Sequence, residues 1–373
     1  MLDRASFMTL LDDMFERNWY TNMGPLVGRF EEALRAHVGA TEIVAVNNAT
    51  SGLSLVAQAL GLHGEVIVPA FTFVATAHAL RWQGIQPVFA DVDRGAHTLS
   101  PESVEALITP RTTGVVGVHT WGEVCDVQAL HAICERRGIA LIFDAAHALG
   151  STDKGEPVGG FGDAEVFSFH ATKFVQSFEG GAITTKDPAL AERLRKMSNF
   201  GFSGTDIVTQ LGINAKMTEV CAAMGISNLA CIQQLYEVNA RNWALYCNAF
   251  ANLPGFSAFN FAPGETRNLQ YVVFEVDGDT STLSRDELVT VLRAEGCLAR
   301  RYFYPGVHRM EPYLTESPTD ERQLPATESL VNSVLILPTG PSIGASEIEK
   351  IADIVRVASQ HADEVRRVLV GKT

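Results

Sequence analysis

Short strand-like runs alternate with helical stretches from about residue 40 to residue 200, and this alternation constrains the fold more than any other feature of the chain. Apolar runs such as EIVAV, EVIVP and ALIFD are each followed by a segment of helical character, for example SGLSLVAQALGL. In SPESVEALI, Ser100 as N-cap and Pro101 at the first helical position predict the start of a helix. Strands that alternate with helices form a mostly parallel sheet covered on both faces, so we predict an α/β fold.

The pattern breaks near residue 253. A long helical region from about Met217 to Phe250 is followed by NLPGFSAFNFAPGETRN, which is rich in proline and glycine. Beyond it we predict the strands LQYVVFEVDG, CLARRYFYP and VNSVLILP, and a last helix that starts at Ser346 with Glu349 three residues on. The sequence therefore predicts a large domain over 1–252 and a smaller α+β domain over 253–373.

Composition narrows the classes of function. The net charge of −14 argues against nucleic acid as a partner. No apolar run approaches the ~20 residues of a membrane span, and the N-terminus lacks the pattern of a signal peptide. The six cysteines form no CxxC pair, and no His/Cys cluster has zinc spacing. We therefore expect a cytoplasmic protein with reduced cysteines, no bound metal, and neither nucleic acid nor membrane as a partner.

Ligands of open α/β sheets bind at the carboxyl ends of the strands. The residues that follow the predicted strands there are polar or aromatic: Thr50, Ser51, Phe73, Asp144, His147, Ser168, His170 and Lys173. Taken singly, each has an ordinary structural explanation, as a helix cap, a turn residue, a core ring, a structural histidine or a lysine that extends past an apolar surface. Those alternatives stay open for every residue considered alone.

Taken together, the residues match the requirements of one cofactor, pyridoxal 5'-phosphate. A phosphate would bind at the helix N-terminus at Thr50 and Ser51, where backbone N–H groups are free, and Ser168 would add a hydroxyl. A flat ring would lie against Phe73. Asp144 would keep the ring nitrogen protonated, and the amine of Lys173 would form a Schiff base with the aldehyde. Partial desolvation also explains a lysine in such apolar surroundings, because it makes the amine nucleophilic.

Several motifs resemble the DegT/StrS-type nucleotide-sugar aminotransferases. They are TNMGPLVGRFEEAL, NNATSGL, PAFTFVATAHAL, DAAHALG, SFHATK with its following EGG, and GINAKMTE, in matching order and spacing from about residue 18 to 310. The resemblance implies fold type I, the fold of aspartate aminotransferase, with a mostly parallel seven-stranded sheet flanked by helices. It also implies that Lys173 carries pyridoxal 5'-phosphate as a Schiff base and that Asp144 and His147 are catalytic beside it.

The resemblance also assigns the remaining contacts. The cofactor-binding residues that it implies are Thr50, Ser51, Phe73, Asp144, His147, Ser168, His170, Lys173 and Asn214. Of these, Asn214 matches an asparagine that reaches the neighbouring subunit's cofactor phosphate, which implies a homodimer with shared active sites. The expected substrate contacts are Lys216, where the family often has Arg, and Arg301, Tyr302, Tyr304 and His308 in RRYFYPGVH. A mostly buried strand is the alternative interpretation of that last segment.

The reaction implied is transamination. L-Glutamate would donate its amino group, and freed Lys173 would act as general base and acid. The chain most resembles enzymes that convert dTDP-4-keto-6-deoxy-D-glucose into dTDP-4-amino-4,6-dideoxy-D-glucose, and its DAAH motif is similar to C4 enzymes, whereas C3 enzymes more often have DAAQ. The alternatives are a C3 aminotransferase acting on a dTDP-3-keto-6-deoxyhexose and a non-catalytic regulator that binds the cofactor. The lysine at position 173 argues against the family's 3-dehydratases, which have histidine there.

Overall fold

The computed structural model describes residues 3–316 and 323–370. Its main sheet has seven strands in the order β1-β9-β8-β5-β4-β2-β3. Strand β9 runs antiparallel to both of its neighbours, and the other pairs are parallel. The strands of this sheet are β1 Glu42–Val46, β2 Glu65–Pro69, β3 Gln86–Ala90, β4 Thr112–Val118, β5 Ala140–Asp144, β8 Ala164–Ser168 and β9 Gly181–Thr185. The predicted α/β class with a mostly parallel sheet is confirmed.

Helices surround this sheet and follow its strands along the chain. In chain order the helices are α1 Arg4–Arg17, α2 Pro25–Arg35, α3 Ala49–Ala59, α4 Val74–Arg81, α5 Pro101–Leu107, α6 Val127–Arg137, α7 Pro188–Met197, α8 Glu219–Leu229, α9 Ile232–Phe250, α10 Arg285–Ala294, α11 Tyr313–Glu316, α12 Pro325–Ser333, α13 Ala345–Gln360 and α14 Ala362–Val370. Short 3-10 turns lie at Thr120–Gly122 and Val307–Arg309. The predicted start of α5 is confirmed, since the Ser100 side chain accepts a hydrogen bond from the Ser103 N–H.

Residues of the central strands alternate between two apolar cores. Val66 and Val68 of β2 lie in the core that also contains residues of α3, α4 and α7. Ile67, between them, lies in the core built with α5 and α6. Every residue of β2 is buried, which explains why the strand is a continuous apolar run rather than an alternating one. Helices therefore cover both faces and leave the strand ends as the accessible rim.

A second, antiparallel sheet lies in the later part of the chain, in the order β10-β11-β12. Its strands are β10 Phe256–Ala258, β11 Val272–Val276 and β12 Val334–Leu337, and the two-residue strands β6 Thr152–Asp153 and β7 Glu156–Pro157 form a separate hairpin. The core of the second sheet includes Tyr246 and Phe250 from the end of α9. The division of the chain at 252/253 remains a proposal, in which α9 reaches from one part into the core of the other.

Three local predictions were wrong. The segment 297–305 is not a strand, because its amides close successive turns, Tyr304 onto Arg301 and Gly306 onto Phe303, and only Arg300 bridges to the second sheet. The helical region after Met217 is interrupted at 230–231 between α8 and α9. The last long helix starts at Ala345 rather than Ser346, and its cap pairs the Gly344 N–H with Glu347 instead of using Glu349.

Buried polar contacts join the two sheets. Asp91, just after β3, accepts hydrogen bonds from the backbone N–H groups of Ala326 and Thr327 and so caps α12. Glu123 and Arg267 form a buried ion pair, with Oε1 2.6 Å from Nη2. All six cysteines are free. Within 3–316 and 323–370, no helix is long and apolar enough to cross a membrane.

Candidate active site

A cavity of about 400 Å³ opens at the carboxyl ends of the central strands. This size is within the range of small-molecule sites. Eight of the residues predicted from the sequence line this cavity: Thr50, Phe73, Asp144, His147, Ser168, His170, Lys173 and Tyr302. The fold therefore brings together side chains from five separate segments of the chain, and the rim predicted from the strand ends is where they meet.

Lys173 extends into this cavity from the loop after β8. A turn closed by the Lys173 N–H and the His170 carbonyl, 2.9 Å apart, places it there. Its Nζ lies 3.5 Å from the phenol oxygen of Tyr271. Burial lowers the pKa of the amine to about 8, and the negative charge of Asp144 opposes that shift only in part. The lowered pKa thus increases the uncharged, nucleophilic fraction of Lys173 near neutral pH.

Asp144, the last residue of β5, is buried at the floor of the cavity. Its Oδ2 accepts a hydrogen bond from Thr76 Oγ1 at 2.8 Å, and its Oδ1 accepts one from the Ala146 N–H at 3.1 Å. Burial raises the pKa of the carboxyl, whereas these two hydrogen bonds act to lower it. A buried carboxylate held by neutral donors is stabilised by a cation beside it, and a protonated ring nitrogen is such a cation.

His147 is a neutral imidazole with one defined tautomer. Its Nδ1 accepts a hydrogen bond from the Trp121 backbone N–H at 3.3 Å, so its proton is on Nε2, 3.1 Å from Tyr271 Oη. The Trp121 indole stacks on the imidazole, with ring centres 6.0 Å apart. Burial, with a smaller effect from Lys173, holds the pKa of His147 well below its ordinary value. The imidazole is therefore a fixed donor within the cavity.

The N-terminus of α3 forms one end of the cavity. Asn48, Ala49 and Thr50 line it, but Ser51 is not among the lining residues, and its N–H is already bonded to Asn48 Oδ1 at 2.8 Å. Gly181 explains why EGG follows the lysine, because a Cβ there would lie 2.8 Å from the Ala49 nitrogen. A helix N-terminus with a hydroxyl from Thr50 and another from Ser168 can bind a phosphate.

Phe73 presents an aromatic ring to the cavity. It is the N-cap residue of α4, and 56% of its surface is exposed, although the alternative considered above was a core ring. An exposed phenylalanine beside a polar cavity provides a flat apolar surface for a planar ligand.

Asn214 and Lys216, like Ser51, do not line the cavity of their own chain. Asn214 is exposed on the loop before α8, where its backbone pairs with Asn199. Lys216 is buried, donates a hydrogen bond from Nζ to Asn199 Oδ1 at 2.8 Å, and lies 4.6 Å from the ring centre of Phe200. It borders a separate small cavity with Met23.

The predicted substrate segment divides in the same way. Of the four substrate contacts predicted there, only Tyr302 lines the main cavity, beside Arg300 and Phe303 of the same segment. Arg301 pairs with Asp286 at 3.1 Å and stacks on Tyr304, and both border a neighbouring shallow cavity. His308 is buried, with Nε2 2.7 Å from Glu328.

Four lining or supporting residues escaped the sequence prediction: Thr76, Trp121, Tyr271 and Arg300. Thr76 lies in the first turn of α4, and its hydroxyl is 3.1 Å from that of Thr72, just before the helix. Tyr271 and Arg300 line the cavity from the second part of the chain. Arg300 is the first residue of the predicted substrate segment RRYFYPGVH, whereas Tyr271 lies in no motif.

These groups fit pyridoxal 5'-phosphate. The cavity combines a nucleophilic amine, a buried carboxylate, an exposed aromatic face and a helix N-terminus, and these match the aldehyde, the ring nitrogen, the ring and the phosphate respectively.

Comparison with known proteins identifies relatives over nearly the whole chain. The DegT/DnrJ/EryC1/StrS aminotransferase family model matches residues 2–356. A dTDP-4-amino-4,6-dideoxy-D-glucose transaminase of Shigella dysenteriae is 33% identical, with coverage of 94% of this chain and 95% of that protein. The structure of DesI, solved in the presence of its TDP-sugar product, is 46% identical and superimposes with a TM-score of 0.94 over 98% of this chain and 93% of that chain. S. venezuelae DesV, solved with a ketimine intermediate, is 31% identical with a TM-score of 0.88 over 95% of each chain.

Proposed function

Because the chain belongs to the DegT/DnrJ/EryC1/StrS aminotransferase family, we propose that it converts dTDP-4-keto-6-deoxy-D-glucose into dTDP-4-amino-4,6-dideoxy-D-glucose with L-glutamate as amino donor. The family's enzymes depend on pyridoxal 5'-phosphate, and this chain is one of them. The Shigella relative's named product and the TDP-sugar of DesI support the choice of sugar and nucleotide.

One observation carries the proposal for the chemistry: the buried amine of Lys173 shares a cavity with the buried carboxyl of Asp144, and burial lowers the pKa of that amine. When bound, the cofactor supplies an aldehyde that condenses with amines and a pyridinium ring that withdraws electrons. We propose that Lys173 holds the aldehyde as a Schiff base. Asp144 would keep the ring nitrogen protonated, and His147 would donate a hydrogen bond beside the ring.

The remaining residues position the two ends of the cofactor. The N-terminus of α3 with Thr50 and Ser168 would hold the phosphate, and Phe73 would lie against the ring. Ser51 would contribute less to phosphate binding than predicted, since its backbone N–H already donates a hydrogen bond to Asn48 Oδ1. Once free, Nζ of Lys173 would take a proton from the donor carbon and return it within the same cavity, as an amine with a pKa near 8 is suited to do.

We further propose that the enzyme is a homodimer in which Asn214 contributes to the partner's site. The segments 19–23 and 200–213 carry exposed apolar side chains: Trp19, Tyr20, Met23, Phe200, Ile207, Val208, Leu211 and Ile213. Lys216 links the two segments, because it borders the same small cavity as Met23 and its Nζ lies 4.6 Å from the ring centre of Phe200. An apolar surface of this kind is typical of a protein interface.

Absorbance spectra test the function directly. The purified protein should show a visible band with pyridoxal 5'-phosphate, lose it on addition of L-glutamate, and regain it on addition of dTDP-4-keto-6-deoxy-D-glucose. Lys173→Ala should lack the band. Recovery with a dTDP-3-keto-6-deoxyhexose instead would make the chain a C3 enzyme, and absence of any band in the wild type would contradict the role of Lys173.

A further inference from the structure

A buried phenol lies between the two functional nitrogens of the cavity. Tyr271 Oη is 3.1 Å from His147 Nε2 and 3.5 Å from Lys173 Nζ. Tyr271 immediately precedes β11, so it enters the cavity from the second sheet, whereas the lysine and the histidine follow strands of the main sheet. It belongs to none of the motifs by which the chain resembles its family.

The direction of these hydrogen bonds follows from the backbone. The Trp121 N–H donates to His147 Nδ1, so His147 donates from Nε2 and Tyr271 Oη accepts. While the amine of Lys173 is charged, its Nζ donates to the phenol oxygen. Once the amine is uncharged, the phenol's own proton can point to Nζ, which then accepts it, and the phenol oxygen keeps the hydrogen bond from His147. Burial raises the pKa of Tyr271, so the phenol keeps that proton.

The three side chains are tied to one another through the residue before the tyrosine. Gln270 Oε1 accepts a hydrogen bond from the Phe174 N–H at 2.8 Å, and Gln270 Nε2 donates to the His147 carbonyl at 2.9 Å. One side chain therefore anchors both the loop of Lys173 and the turn of His147. This arrangement fixes the separation of phenol, imidazole and amine more closely than side-chain packing alone would.

We propose that Tyr271 is a positioning residue that holds the free, uncharged amine of Lys173 by donating a hydrogen bond to it, with His147 setting the direction of the phenol O–H. The proposal deepens the proposed function, on which it rests, because the amine must be held in place whenever it is not joined to the cofactor. The phenol would both orient the nitrogen lone pair and favour the uncharged form.

Other charged or titratable groups also face the lysine. Asp144 favours the ammonium form, and four further groups line the same cavity: His170, Glu179, Arg300 and Tyr302. Tyr302 provides a matched control, because its hydroxyl is bonded to the Arg300 guanidinium. Loss of the Tyr302 hydroxyl leaves the hydrogen bond between Tyr271 and Lys173 intact.

The test measures the titration of Lys173 in protein freed of cofactor. Wild type, Tyr271→Phe and Tyr302→Phe are labelled briefly with acetic anhydride across a pH series, and acetylation of Lys173 is quantified by peptide mass spectrometry. The wild-type midpoint should lie near 8. Tyr271→Phe should raise it by about 0.5 to 1 pH unit, the worth of one hydrogen bond to the neutral amine. Tyr302→Phe should leave it unchanged.

A second replacement guards against a variant that does not fold. Substituting 3-fluorotyrosine at position 271 keeps the ring and makes the phenol a stronger donor, so the midpoint should move down. An unchanged midpoint in both proteins, or a downward shift in Tyr271→Phe, would overturn the proposal. Failure of the proposed function gives a different result, since the wild type would then form no visible band with pyridoxal 5'-phosphate at all.

Discussion

Burial raises the pKa of the Asp144 carboxyl and so opposes its negative charge. Its two hydrogen bonds come from a hydroxyl and an amide, neither of which neutralises it. The nearby amine of Lys173 is itself partly uncharged near neutral pH. The carboxylate therefore has a strong electrostatic preference for a further cation, and in the proposed enzyme that cation is the ring nitrogen.

We expect Asp144→Asn to bind the cofactor but to lose most of its activity. Removing one partner of a buried ion pair costs about 3 to 5 kcal/mol. If that cost raises the activation free energy, the rate falls on the order of a thousand-fold. The kcat for amino-group transfer, measured with saturating cofactor, checks this. Thr76→Ser is the matched control, because it keeps the hydroxyl at Asp144 and should retain near-normal kcat. Equal losses in both variants would contradict the argument.

The sequence predicts best those site residues that lie directly after strands. Lys173, Asp144 and His147 follow β8 and β5, so topology alone brought them to one rim. Trp121 follows β4 and was within reach of the same rule, whereas Tyr271 precedes β11 and was not. The placement of Tyr271 depends on contacts between residues far apart in the sequence, such as the hydrogen bonds of Gln270 to the loop of Lys173 and the turn of His147.

At the scale of the secondary-structure elements, β9 and the N-terminus of α3 meet in backbone contact at the end of the cavity that is proposed to hold the phosphate. Gly181 allows this approach, since its missing Cβ would lie 2.8 Å from both the Ala49 nitrogen and the Asn48 carbonyl carbon. Those are backbone atoms and have no rotamer with which to make room. The position of the helix N-terminus thus depends on a glycine in the strand.

Gly181→Ala should therefore weaken cofactor binding, because the added methyl pushes the start of α3 away from the rim. We expect an increase in Kd of about ten-fold or more, for a displacement that costs at least one hydrogen bond to a charged phosphate. Fluorescence titration with pyridoxal 5'-phosphate measures it. Gly278→Ala, at a glycine with no heavy atom within 4 Å of the added Cβ, is the control and should bind normally.

The segment 297–305 marks a limit of pattern-based prediction. Its aromatic character is typical of a strand. In the structure, Tyr302 lines the cavity and the ring of Tyr304 stacks against Arg301. These tertiary contacts override the strand propensity of the segment, and no periodic pattern in the sequence predicts them. In contrast, the central strands were predictable because burial on both faces makes them continuously apolar.

The buried pair of Glu123 and Arg267 couples the first part of the chain to the segment that leads to Tyr271. Glu123→Leu should lower the free energy of unfolding by about 3 to 5 kcal/mol, because it leaves the guanidinium buried without its carboxylate. Urea unfolding followed by circular dichroism measures the change. The double variant Glu123→Leu, Arg267→Met should regain most of the loss. A double variant no more stable than the single one would show that packing, rather than charge, matters there.

At the scale of the whole molecule, the exposed apolar side chains around Asn214 predict the assembly. Leu211 is 75% exposed at the centre of this surface. The wild type should sediment at about twice the chain mass of 40.4 kDa. Leu211→Asp should shift it to the monomer and weaken cofactor binding, since Asn214 would no longer reach the partner's site. Val357→Asp, an equally apolar exposed position on α13, should remain dimeric, and a monomeric wild type would refute the assembly.

The origin of the cavity walls has a consequence for how such an enzyme diversifies. The groups proposed to hold the cofactor come from the main sheet, whereas Arg300 and Tyr302 enter from the irregular segment 297–305. Substitutions in the segment 297–305 can therefore change the side of the cavity that it forms, while the residues proposed to hold the cofactor stay the same. Randomising 298–304 would sample new acceptor specificities in a protein that still carries its cofactor, which makes this short segment the natural target for directed evolution.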